Sequence, residues 1–137
     1  DIFNEEINKL NKSISNCSDE SLSVEENAKL LANTILSDST EPSMLLWLVL
    51  VGESISSPKL KKVIKDENSL YEGVLSNQIR VINSRISDKK SIYISKIIRC
   101  LIDGYCIELI YTDVKLIKSK KFYSELKHHI IKLVCDL

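Results

Sequence analysis

The chain has 137 residues and 44% of them are hydrophobic, which is enough for one domain with a buried core. Lys and Arg number 19, Asp and Glu number 19, and the formal net charge is zero. That balance argues against a nucleic-acid-binding domain, which would show a basic excess, and the apolar fraction argues against disorder.

Three Gly and two Pro are too few for the tight turns of an all-β fold. The longest apolar run, Met44 to Val51, falls far short of the roughly 20 residues that span a bilayer. Asp1-Ile2-Phe3-Asn4-Glu5-Glu6 carries neither a basic start nor an apolar signal core. The missing initiator Met predicts that the segment begins inside a longer protein. Cys17, Cys100, Cys106 and Cys135 are irregularly spaced, and two of them fall within apolar helical patterns. Reduced thiols, and with them a cytoplasmic location, are the expectation.

Apolar residues recur at helical spacing nearly throughout. Phe3, Ile7, Leu10 and Ile14 predict a first helix, ending in the polar loop Asn16 to Ser21. Ser23 and Glu26 have the spacing of a capping box, and Val24, Ala28, Leu31 and Ile35 line a second helix. Thr40 can cap a third, with Pro42 tolerated in its first turn. Its run Met44 to Val51 is apolar on every side, which predicts a helix surrounded by others at the domain centre. Pro58 starts a fourth helix, with Leu60, Ile64, Tyr71, Leu75, Ile79, Ile82 and Ile86 on one stripe. Gly73 within it predicts a bend or a close contact. Ser87-Asp88 can cap a fifth helix, from Lys89 to Tyr111. It is apolar on two faces, one of Ile94, Ile97, Leu101 and Tyr105, the other of Ile98, Ile102 and Leu109. Such a helix has both its own core and a partner to bury against. After a connection from Thr112 to Lys118, Ser119 can cap a last helix whose stripe is Phe122, Leu126, His129 and Leu133, broadened by Ile130 and Val134. The fold expected is all-α: six helices in a single domain, residues 1–137.

In three places the sequence resembles the C-terminal regulatory domain of TetR-family transcriptional repressors. Asp1 to Ile7 looks like the family's linking helix. Trp47-Leu48-Val49-Leu50-Val51-Gly52-Glu53-Ser54, followed by Ser57-Pro58-Lys59-Leu60, looks like a central helix leading into the long one. Leu101-Ile102-Asp103-Gly104-Tyr105 looks like the common Ile-Asp-Gly of the penultimate helix. The resemblance spans essentially the whole chain in helix order and relative length. The family's N-terminal helix-turn-helix module is absent, so this chain would not read DNA by itself.

The resemblance implies a bacterial, cytoplasmic homodimer that binds a small amphipathic or aromatic effector, contacts DNA only through the missing module, and has no membrane partner, no cofactor, no metal and no catalysis. The effector set is Phe3, Met44, Trp47, Leu48, Val51, Tyr71, Leu75, Tyr93 and Ile97. Core packing is an equal alternative for Trp47, Met44, Leu48 and Val51 and the better one for Phe3, while Tyr71 and Tyr93 could instead reach water. The last two helices would form a four-helix interface with their copies through Ile98, Leu101, Tyr105, Glu108, Leu109, Phe122, Leu126, His129 and Leu133. The residues support this independently, because two adjacent C-terminal helices carry more apolar surface than one small core needs. Gly104 would let a partner backbone come close.

Other residues have plainer readings. Glu53 is solvated or capping unless it meets a cationic ligand, and Arg99 with Asp103 reads as a helix-face ion pair. His128 and His129 point about 100° apart, which suits no shared metal, and Lys115 to Lys121 is a solvated basic turn. The alternative function is a helical protein-interaction module without a ligand pocket. A small helical enzyme is a third, disfavoured by the lack of an acid/base constellation.

Overall fold

The structure is a computed structural model and describes residues 2–38, 42–111 and 120–136, with the side chains of 2–4, 6, 38, 42–45 and 109–111 outside that description. It is all-helical. Among the described residues there are six helices: α1 (Ile2–Ser15), α2 (Val24–Asp38), α3 (Pro42–Ser54), α4 (Pro58–Ile82), α5 (Asp88–Tyr111) and α6 (Lys120–Cys135). None is long and apolar enough to cross a membrane.

The helix starts follow local capping chemistry. Before α2, the Glu26 amide donates to Ser23 Oγ at 3.1 Å while the Ser23 amide donates to Glu26 Oε2 at 2.9 Å, a complete capping box. Ser57 Oγ accepts from the Leu60 amide at 3.3 Å to open α4, and Ser87 Oγ accepts from the Lys90 amide at 3.2 Å to open α5. The loop ahead of α2 is pinned by buried Asn27, whose Nδ2 donates to the Asp19 carbonyl at 2.9 Å and whose Oδ1 accepts the Asp19 amide at 2.8 Å. The proposed caps Thr40 and Ser119, and the connection Thr112 to Lys118, lie outside the described residues.

The core gathers Ile14 of α1, Ala28, Leu31, Ala32, Ile35 and Leu36 of α2, and Leu75, Ile79 and Ile82 of α4. Ile94, Ile98, Ile102, Tyr105 and Cys106 of α5 and Leu126, Ile130 and Val134 of α6 complete it. The organising helix is α4, which packs against α1, α2, α3 and α5; α6 packs mainly on α2.

Several expectations are corrected. α3 is not the domain centre: Leu46 is 46% and Val49 59% exposed, because α3 lies on α4 and α5 with its other face open. α4 stops at Ile82, where Asn83 turns extended and caps it, and Ile86 is buried from the following loop. Gly73 marks no close contact, since it is exposed and a Cβ there would meet nothing within 4 Å. Val24 stands exposed at the end of the α2 stripe. On α6 the buried line is Leu126, Ile130 and Val134, rotated from the expected stripe so that His129 faces solvent.

Candidate functional site

α5 is the element on which the candidate sites meet. Taken at about 100° per residue, its side chains divide into three faces. The inner face carries Ser91, Ile94, Ser95, Ile98, Ile102, Tyr105 and Cys106, all buried. A charged face carries Lys96, Arg99 and Asp103. The third carries Tyr93, Ile97, Cys100, Gly104 and Ile107, with Leu101 at its edge.

The inner and charged faces lock α5 to α4. Ser76 and Ser91 share a hydrogen bond of 2.7 Å in the buried interface, and the Ser91 and Ser95 hydroxyls also bond to backbone carbonyls of the α5 first turn. Glu72, only 8% exposed, accepts from Lys96 Nζ at 2.7 Å and from Arg99 Nε at 2.8 Å. Arg99 in turn donates to Asp103 Oδ2 at 3.0 Å, so the expected Arg99–Asp103 pair belongs to a larger set. Burial by itself would raise the Glu72 carboxyl, but the bonds from Lys96 and Arg99 and their charges outweigh it and hold it below its ordinary value. Burial raises Asp103 in spite of Arg99. Two carboxylates face two cations, so the set is neutral and clamps two helices instead of offering a charge to a substrate.

The third face is open. Tyr93 is 65% and Ile107 44% exposed, Cys100 and Gly104 are exposed, and Ile97 and Leu101 are half-buried. From Tyr93 to Ile107 the stripe runs about 21 Å at 1.5 Å per residue. Its centre carries no charged side chain, but exposed Lys96 borders it on one side and exposed Glu108 on the other, beside Leu101. α6 flanks it: the Tyr105 and Phe122 rings stack at 6.0 Å with an interplanar angle of 16°, and Leu101 lies between that contact and the stripe on the helix surface. A Cβ at Gly104 would meet nothing within 4 Å in the chain itself.

The structure divides the expected effector residues. Leu75 is fully buried in the common core, Trp47 is buried, and Leu48 and Tyr71 pack against that core half-buried, as Val51 is. Ile97 and Tyr93 instead belong to the open stripe, because Ser91 and Ile94 take the inward positions of the first α5 turns. Phe3 and Met44 lie outside the described side chains.

The expected interface residues divide as well. Ile98, Tyr105 and Leu126 are buried in the chain's own core and offer little surface to a partner. Leu101 and Leu133 pack half-buried against it, while Glu108, Phe122 and His129 are exposed. Leu109 lies outside the described side chains.

Glu53 is exposed, all four cysteines are free, and His128 and His129 sit with ring centroids 6.2 Å apart. Among the described residues no group of three or more His, Cys, Asp or Glu is placed to hold a metal. Glu72 escaped the sequence reading because its partners are 24 and 27 residues away on another helix. Its one signal was a carboxylate on the same α4 side as Leu75 and Ile79. Comparison with protein-family models, with curated proteins and with solved structures finds no match for this chain.

Proposed function

We propose that this chain is the effector-binding and dimerisation domain of a TetR-like transcriptional repressor, without catalysis of its own. The observation that carries the reading is the open stripe of α5 beside α6, small and apolar at its centre with Lys96 and Glu108 at its margins. A two-fold axis near its middle would set Cys100 and Gly104 against the same residues of a second copy, with Tyr93, Ile97 and Ile107 flanking them. Self-complementary patches of this kind are what two-fold dimers bury. The small residues at the centre let two helices approach closely.

In this reading the effector lies among α1, α3 and α4, and filling that space favours one tilt of α1 over another. The tilt sets the separation of two DNA-reading modules, and half-sites about one helical turn apart make DNA affinity sensitive to it. The effector acts only as far as it binds one tilt better than the other.

Sedimentation equilibrium tests the dimer. The chain should be dimeric at micromolar concentration and Gly104→Glu monomeric, with unchanged helical circular dichroism. A wild-type monomer, or a Gly104→Glu dimer of unchanged affinity, refutes the reading. The open Leu46 and Val49 face of α3 favours a second reading, a module that binds a different protein. A wild-type monomer would support it.

A further inference from the structure

The residues of the open α5 stripe pair off by kind about one level of the helix, that of Ile102. Ile102 itself is buried and faces the core. On the opposite side, Cys100 and Gly104 stand two residues either side of that level, both small and both exposed. Ile97 and Ile107 stand five residues either side, both apolar. Lys96 and Glu108 stand six residues either side, both exposed and opposite in charge. At about 100° per residue each pair also straddles the centre line of the stripe, so Lys96 lies on one margin and Glu108 on the other.

A two-fold axis perpendicular to a helix turns it end for end and exchanges its two margins. Placed over the stripe at the level of Ile102, such an axis sets each residue against the other member of its pair in a second copy. Cys100 then meets Gly104, Ile97 meets Ile107 and Lys96 meets Glu108, each contact occurring twice. Sliding the copies by one turn sets Lys96 against Gly104 in one direction, or Glu108 against Cys100 in the other, and leaves the charges unmatched. A parallel pairing keeps Lys96 and Glu108 about 18 Å apart along the axis, twelve residues at 1.5 Å each. Lys96 already donates to Glu72 at 2.7 Å, yet its side chain is 55% exposed and an ammonium has three N–H donors. It can therefore meet a second carboxylate without releasing α4.

We infer that two copies of this chain pair antiparallel along α5, in the register set by reciprocal Lys96–Glu108 ion pairs. The inference rests on the dimer of the proposed function and adds its direction, its register and the residues that select a like partner. Ion pairs at an exposed margin contribute little affinity, so their effect is chiefly to penalise wrong registers and wrong partners. The small and apolar centre supplies the close packing between the two margins.

Zero-length cross-linking tests the register on the wild-type chain. A carbodiimide joins a lysine Nζ to a carboxyl group as an amide, and the water lost converts the carbodiimide to its urea. A Lys96–Glu108 amide cannot form within one chain, because about 18 Å of helix separates the two residues. Peptide mass spectrometry of the covalent dimer should find it. Sedimentation equilibrium gives a second readout. Glu108→Lys turns both attractions into repulsions and should weaken the dimer about tenfold at low salt, with most of that difference closing at about 1 M salt. Lys96→Glu should weaken it likewise. The two variants mixed should pair with each other more tightly than either pairs with itself, since mixing restores both attractions. A cross-linked dimer lacking the Lys96–Glu108 amide, or a Glu108→Lys dimer as tight as the wild type, overturns the inference. Should a variant fail to fold, the wild-type cross-link decides. A wild-type dimer without the amide overturns only the register, whereas a wild-type monomer removes the dimer reading beneath it.

Discussion

The three glycines of this chain all lie within helices, and two of them make a controlled pair. Gly73 is in the interior of α4 and Gly104 in the interior of α5. Both are exposed, and a methyl group at either meets nothing within 4 Å. In an isolated chain, Gly→Ala at either position should therefore stabilise by about 0.5–1 kcal/mol, through backbone entropy alone. For a domain of this size that is a rise in melting temperature of about 2–4 °C. A partner helix packed on the α5 stripe changes the result only at Gly104. There the two added methyl groups would push the paired helices apart, at an overpacking cost of about 1–3 kcal/mol. Dimer affinity would fall about tenfold, since about 1.4 kcal/mol is a factor of ten. Thermal unfolding should be followed over a range of protein concentrations, because dimerisation makes the midpoint concentration-dependent. Sedimentation equilibrium then gives the dimer constant directly. Gly73→Ala should raise the midpoint at every concentration and leave the dimer constant alone. Gly104→Ala should gain stability only in the dilute, monomeric range. If the two variants behave alike in both measurements, no helix packs against Gly104 and the interface argument fails.

Glu72→Gln removes the negative charge between two cations and turns one of the two accepting oxygens into a donor. It should destabilise by about 1–2 kcal/mol at neutral pH, because Lys96 and Arg99 retain contact with water or Asp103. The folded Glu72 value lies below 4.5, so its contribution is complete above 4.5 and is lost as the pH falls through the lower folded value. Urea unfolding should accordingly show the gap between wild type and variant narrowing as the pH falls below 4.5, and a gap that persists unchanged through acid contradicts the assignment. Asn83→Ala removes the 3.0 Å bond from Asn83 Nδ2 to the Val134 carbonyl and should cost about 1–3 kcal/mol. Amide exchange should quicken at the end of α6, and protection unchanged from wild type would refute that anchoring role. Burial pushes the Cys106 thiol up to about 11, so in the dilute, monomeric range a maleimide at pH 8 should modify exposed Cys100 first and Cys106 only on unfolding. Native-state labelling of Cys106 ahead of Cys100 would refute its burial.

Helix positions were legible where the signal is local. Ser23 with Glu26 and Ser87 before α5 each place a hydroxyl where the first amides need an acceptor, and each forms its bond in the structure, while Pro58 marks the start of α4. Helix phase was legible only where a stripe has a polar side. α2 and the middle of α4 have one, and Ala28, Leu31, Leu75 and Ile79 point inward as their spacing requires. α3 and α5 are apolar around most of their circumference, so spacing does not say which side faces the core. For that reason α3 was placed at the centre, and Ile98 and Tyr105 were set toward a partner although they fill the core. On α6 a shift of about 60° separates the expected stripe from the buried one, and His129 supplies the physical reason, since an imidazole gains by facing water. Of the candidate site, Tyr71, Leu75 and Trp47 were legible as inward residues. The Glu72 clamp was not, because it depends on helix pairing.

The three faces of α5 constrain how it can move. A roll by one residue position would turn each face through about 100°, taking Ile98 out of the core and Arg99 away from Glu72. The Ser76–Ser91 bond and the Glu72 clamp oppose such a roll from α4, and the packed inner face opposes it from the core. A displacement of α4 is therefore passed to α5 as a shift of the whole helix, with the open stripe keeping its orientation. Under the proposed function this makes the clamp the coupling element between the space beside α1 and the dimer face. Loosening it should weaken communication without removing either site. In Glu72→Gln the chain should still dimerise, but any change in dimer constant that an apolar probe such as 1-anilinonaphthalene-8-sulfonate produces in the wild type should shrink toward zero. A linkage as large in Glu72→Gln as in the wild type would mean that α5 is held in phase by its apolar contacts alone, and that the charged face has no part in transmitting the signal.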